Sequence, residues 1–174
     1  MLNKNKLNNI FDYLFPICRS ISGKGYLKSI NYIKKFIPLK IQKFNSGKKV
    51  FDWKIPDEWN INDGYIKFKN KKILDFKKNN LHVVNYSAPI NKKINLIELK
   101  KNIFYIKKYP KLIPYVTSYY NKKWGFCLSY ERYKKLSVGI GSISSSNSLT
   151  SPICIAVSLF SLSNKSFAFS RHEP

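Results

Sequence analysis

Histidine, arginine and methionine are almost missing from this 174-residue chain, which holds two, three and one of them. Acidic residues are also scarce, nine against 32 lysines and arginines. These shortages exclude chemistry. A catalytic zinc takes about three protein ligands from His, Cys, Asp or Glu and keeps a position open. His82 is the one histidine before residue 137, Cys18 and Cys127 lie far apart, and no His-Glu-x-x-His or Cys-x-x-Cys occurs. No metal ligand and no catalytic residue is therefore assigned. The three cysteines are too few and too scattered for a secreted disulfide scaffold and fit a reducing cytoplasm. Asn8, Asn9 and Asp12 interrupt the apolar stretch behind Lys4 and Lys6, so no export signal forms. The expected location is cytoplasmic.

The net charge of +23 raises a nucleic-acid reading. The rarity of arginine opposes it, because arginine supplies the planar bidentate contacts to bases and phosphates. Lysines are instead spread in ones and twos over residues 4–135 among Asn, Ile, Tyr and Phe, a bias that A/T-rich codons produce. A nucleic-acid partner is not expected.

What is present is a folding sequence, 44% hydrophobic and 16% aromatic. Leu7, Ile10, Phe11 and Leu14 share one helical face, ended by Pro16. Tyr26, Leu27, Ile30, Ile33, Phe36 and Ile37 form a second, stopped by Pro38. From residue 39 the period becomes strand-like, with a turn at Asn45-Ser46-Gly47. Residues 65–68 and 73–76 predict a β-hairpin with a four-residue connection, and 81–86 another strand. Asn95, with Glu98 three positions on, caps a helix. Residues 116–120 and 124–128 predict a second hairpin, and Ser129 opens a short helix over 130–136. The fold class is α/β of the α+β kind.

Beyond Leu136 the composition changes. Residues 136–164 carry no charge and serine becomes dominant. The apolar stretch 153–162 is far short of the ~20 residues of a membrane span. A flexible linker fits poorly with the interleaved Ile, Leu and Phe. The remaining reading is a non-family tail, 137–174, frameshifted or disordered.

Few side chains invite chemistry. Cys18 and Cys127 follow apolar or aromatic residues and read as packed thiols. Asp57-Glu58 lies in a turn and faces solvent. Ser22-Gly23-Lys24-Gly25 precedes a helix but lacks the full phosphate-loop pattern, and reads as a structural turn. The aromatics Trp53, Trp59, Tyr119, Tyr120 and Trp124 have flat faces for sugars, bases or peptides, although aromatics in β structure are more often core. They are the candidate substrate or partner contacts.

An ordered set of phrases gives a family resemblance. They are Leu14-Phe15-Pro16-Ile17-Cys18-Arg19-Ser20-Ile21-Ser22-Gly23, Lys49-Val50-Phe51-Asp52-Trp53 with Pro56-Asp57-Glu58-Trp59-Asn60, Asp75-Phe76 with Asn80-Leu81-His82-Val83-Val84, residues 113–120, and Trp124-Gly125-Phe126-Cys127. Over residues 7–136 the chain resembles bacterial zinc aminopeptidase-like proteins that carry an inserted domain of unknown function and a C-terminal winged helix. The resemblance implies that residues 1–45 begin an aminopeptidase-like α/β domain, two helices and a strand. Residues 46–136 would be the inserted β-rich module. It implies zinc and a peptide or peptide-like substrate in full-length relatives, with the ligands downstream of this module. No cofactor is expected in this chain. The expectation is an N-terminal fragment, inert alone, whose module shapes a substrate entrance or a homo-oligomer contact, with no membrane partner. The alternative is a stand-alone glycan- or peptide-binding β module.

Overall fold

The computed structural model describes residues 3–119, 121–136, 153–159 and 165–170. The chain forms two compact units, one of residues 1–60 and 160–174, the other of residues 61–159. The second is thus inserted within the first along the sequence. The mixture of helices and strands is an α+β fold.

In the first unit, α1 (Lys4–Leu14) is capped by Asn3, whose side chain accepts from the Lys6 N–H at 2.9 Å. Its Tyr13 stacks on Tyr32 of α2 (Lys24–Ile33), ring centroids 3.8 Å apart. α1 buries no residue completely, and Phe11 and Phe15 are 68% and 85% exposed. The two apolar helical faces would leave Leu7, Ile10, Ile30 and Ile33 partly exposed if they lacked partners. Leu7 is exposed, Ile10 and Ile33 are half-buried, but Ile30 is buried.

α2 is capped from a distance. Gly23 has no side chain to offer, and Asn60 Oδ1 instead accepts from the Lys24 N–H at 2.7 Å. Glu58 Oε1 in turn accepts from Asn60 Nδ2 at 2.8 Å. Ser22 Oγ donates to the Asp57 carbonyl and accepts from the Trp59 N–H, each at 3.4 Å. Residues 57–60 therefore belong with the helices, and the first unit runs to Asn60 instead of ending near residue 45. A Cβ on Gly25 would lie 1.8 Å from the Cys18 carbonyl oxygen, so glycine is required there. Before residue 61 the strands of this unit are β1 (Lys40–Asn45), β2 (Lys49–Val50) and β3 (Trp53–Lys54), the last two paired through a turn at Phe51, φ 53°.

The second unit is built on β4 (Ile61–Phe68) and β5 (Lys71–Asp75). The predicted hairpin forms, but with a two-residue turn, since Lys69 and Asn70 both have positive φ, 46° and 62°. That pair of conformations matches the twist of the flanking strands. β6 (Ile90–Ile94) leads into α3 (Leu96–Lys101), where Asn95 Oδ1 accepts from the Glu98 N–H at 2.8 Å as expected. Glu98 does not complete the reciprocal cap, because its carboxylate pairs with Lys92.

Two expectations fail here. Residues 80–82 form a 3-10 turn, and only single bridges follow, Val83 to Phe126 and Asn85 to Thr117. The apolar run of 81–86 reflects burial without ladder pairing. Among the described residues the second hairpin is also absent: β8 (Phe126–Cys127) pairs in parallel with β7 (Ile103–Phe104), and Thr117 lies beside Asn85. Residues 130–136 are helical, as predicted.

The larger correction concerns residues 153–159, expected in the tail. They form β9 (Ile153–Leu159), an inner strand of the antiparallel sheet β5-β4-β9-β6. Ile153, Ile155 and Val157 are 1%, 0% and 2% exposed and join Ile66, Leu74, Leu99 and Phe126 in the core. An inner strand has no place for lysines on its core face, and that accounts for the missing charge here. Beyond it, β10 (Lys165–Ser170) pairs antiparallel with β1, Lys40 opposite Ser170, so the chain returns to the first unit. Residues 137–152, 160–164 and 171–174 of the expected tail lie outside the described residues.

Candidate functional site

The four-stranded sheet buries alternate residues against α3 and the core, which leaves the other set on its outer face. On that face Tyr65 of β4, Ala156 of β9 and Asn91 of β6 stand in register, and Asp63 stands opposite Ser158. Ala156 is the small member of its row, so the surface is concave there. The resulting open groove, about 570 Å³, is lined by Asp63, Tyr65, Pro89, Asn91, Ala156 and Ser158, together with Ile90 and Val157.

Charge at one end is fixed. Asp63 Oδ1 accepts from the Gly64 N–H at 2.8 Å, and its Oδ2 lies 3.8 Å from Nζ of both Lys72 and Lys77. Lys72 also donates to Asp75 at 3.1 Å, and this hydrogen bond holds its ammonium above the usual lysine range. Burial pushes the Asp75 carboxyl up, but the hydrogen bonds from Lys72 and the Lys77 N–H and the two lysine charges together hold it below the usual range. The ammonium groups of Lys67 and Lys72 each lie 4.8 Å from the Tyr65 ring centroid.

His82 is buried, in the 80–82 turn, with both ring nitrogens hydrogen-bonded. Its Nδ1 is 2.9 Å from the Cys127 carbonyl oxygen and its Nε2 is 3.0 Å from Arg132 Nη1. A guanidinium only donates, so Nε2 carries the lone pair and Nδ1–H donates to the carbonyl. Burial pushes the imidazole pKa down, helped by the Arg132 charge, while the Cys127 carbonyl opposes the shift. With both nitrogens engaged, none is left to take a proton from a nucleophile. Burial also raises the thiols, Cys18 to about 11 and Cys127 to about 12, which keeps them protonated.

The aromatic candidates are divided between the two units. Trp53 and Trp59 belong to the first unit and Tyr119 and Trp124 to the second. Trp59 is buried at 7% exposure and cannot serve as a contact surface. Trp124 packs on the core, edge-on to Phe126 with Lys92 above its ring. Tyr119 (φ 41°) leans on Tyr86, centroids 5.6 Å apart, and is 42% exposed; Trp53 is 48% exposed. Tyr120 lies outside the described residues. Lys24 and Gly23 form the structural turn expected of them, their helix start closed by Asn60. Among the described residues no group of three or more His, Cys, Asp or Glu is placed to hold a metal ion. The donor set for a hydrolytic zinc is not assembled from them. Among the same residues no helix is long and apolar enough to cross a membrane.

Residues 58–142 match the family described as a domain of unknown function, DUF2172. Over 132 residues, three quarters of this chain, the sequence is 48% identical to a Clostridium acetobutylicum protein named as a candidate polysaccharide biosynthesis protein with an aminopeptidase-like domain. A crystal structure of a candidate peptidase from Clostridium acetobutylicum superposes with TM-score 0.78 at 39% identity, covering 93% of this chain. Residues 1–136 alone cannot supply that coverage, so the match runs into the expected tail. The chain spans 30% of the length of the first relative and 36% of the second. The chain is thus similar to proteins named for an aminopeptidase-like domain and as a candidate peptidase, and residues 58–142 match the DUF2172 model.

Proposed function

We propose that this chain is the N-terminal portion of a zinc-dependent aminopeptidase-like hydrolase of the bacterial cytoplasm. The observation that carries the reading is the fold match at 39% identity to a candidate peptidase over a third of that protein's length. The first unit, two helices with β1 and the returning β10, is then part of the peptidase domain, and the second unit is an insertion within it. Exposed apolar residues on α1, chiefly Phe11 and Phe15, fit a helix whose partners come from the rest of that domain. The ligands for zinc come from there too, and the substrate is a peptide or peptide-like molecule. The inserted unit flanks the substrate entrance or a homo-oligomer contact. Alone, the chain does not hydrolyse peptides.

The test is a peptidase assay on aminoacyl p-nitroanilides with the purified chain in added zinc, alongside metal analysis after dialysis. The expected result is no turnover and no stoichiometric zinc. Retained equimolar zinc with turnover overturns the reading.

A further inference from the structure

We propose that the groove on the outer face of the β4-β9-β6 sheet is a saccharide-binding site, with Asp63, Asn91 and Ser158 as hydrogen-bonding residues and Tyr65 and Pro89 as its apolar walls. The proposal does not rest on the peptidase reading.

The lining selects the ligand class. The groove lies on a sheet face, and β4 and β9 are hydrogen-bonded on both sides, β4 to β5 and β9, β9 to β4 and β6. Neither can add a peptide strand through its backbone, and the free edge of β6 lies on the side away from β9, so recognition within the groove falls to side chains. The Asp63 charge is already balanced by Lys72 and Lys77, which disfavours a free cation, and the lining holds no Lys or Arg to meet a polyanion. A neutral, hydroxyl-rich ring meets neither objection. Asp63 accepts from sugar hydroxyls, the Asn91 amide both donates and accepts, and the Ser158 hydroxyl does either. Asp63 is pre-oriented by the Gly64 N–H and its two lysines, so little ordering is lost when it binds. The small Ala156 floor between Tyr65 and Asn91 makes room for a ring, whose C–H face packs on the apolar walls. A groove of about 570 Å³ is in the size range of small-molecule sites and suits a short oligosaccharide.

The experiment is a ¹⁵N–¹H titration of the full chain with maltotriose, cellotriose and chitotriose, each up to about 20 mM, the range of weak sites. The expected result is a saturable shift, with at least one of them, confined to amides of residues 63–65, 90–91 and 156–158. Asp63→Asn should weaken it roughly tenfold, the scale of one charged hydrogen bond. Asn91→Ala, on an exposed edge-strand position, should weaken it without disturbing the core amides of Ile66 and Phe126. Ala156→Trp, which fills the floor, should abolish it. Silence with all three sugars overturns the proposal. So does a shift that survives Ala156→Trp in a folded protein, or one that tetra-alanine produces more strongly than any sugar.

Discussion

Arg132 reaches across 50 positions of sequence to donate through Nη1 to Nε2 of His82, and through Nη2 to the Ile73 carbonyl at 2.9 Å. Together with the His82 hydrogen bond to Cys127, one guanidinium and one imidazole tie β5, the 80–82 turn, β8 and the helix at 130–136. The pair is structural, and its consequence is a pH dependence.

The folded imidazole is neutral, its pKa held below the ordinary 6.5. Below that ordinary value the unfolded chain binds a proton that the folded chain refuses, so stability rises with pH between the folded and the unfolded pKa. Acidification from pH 7.5 to 5.5 should therefore lower the urea midpoint of the second unit. In His82→Gln the midpoint should be lower at pH 7.5, and its change with pH should flatten. An unchanged pH slope in that variant would sink the assignment.

Arg132→Ala leaves the buried Nε2 and the Ile73 carbonyl without their donor. The expected cost is about 1–3 kcal/mol of unfolding free energy, read from urea denaturation. Arg132→Lys should recover little, because an ammonium cannot hold both acceptors with a planar fork. Full recovery with lysine would show that charge alone matters.

The cap on α2 gives a local test. Asn60→Ala removes the acceptor for the Lys24 N–H, and Gly23 has no side chain to replace it. The first unit should lose about 1 kcal/mol, the usual cost of a helix cap. Glu58→Gln keeps a side-chain oxygen for Asn60 Nδ2 and should cost less. Equal losses in the two variants would argue that the carboxylate charge, and not the cap, holds this end.

Local features were legible in sequence and long-range pairing was not. Proline at 16 and the apolar spacing marked α1 and α2, although α2 stops at Ile33, short of the expected Phe36, Ile37 and Pro38, and Asn95 marked the start of α3. The Lys69-Asn70 turn was missed by two residues because neither is glycine, although both adopt positive φ. β6 carries Asn91-Lys92-Lys93 between two isoleucines and has no strong alternation of its own. The apolar run at 81–86 read as a strand because burial and ladder pairing give the same composition. The groove could not be read at all. It needs Tyr65, Asn91 and Ala156 in one row, and nothing local in sequence fixes that register.

β9 offers the sharpest stability prediction. It sits between β4 and β6, with Ile155 opposite Ile66 and Lys92 and 0% exposed. A chain ending at Leu136 leaves β4 and β6 with facing unpaired edges and removes Ile153, Ile155 and Val157 from the core. That shortened chain should show no cooperative urea transition for the second unit. Ile155→Ala in the full chain should cost about 2–5 kcal/mol, the range for a large-to-small change at a closed core position. Limited proteolysis of the full chain should leave residues 61–159 bound together as the resistant core, even when the connection before β9 is nicked, because the strand is held by ladders on both sides. If the chain ending at Leu136 unfolds at the same urea midpoint as the full chain, residues 153–159 are dispensable and the sheet order is wrong.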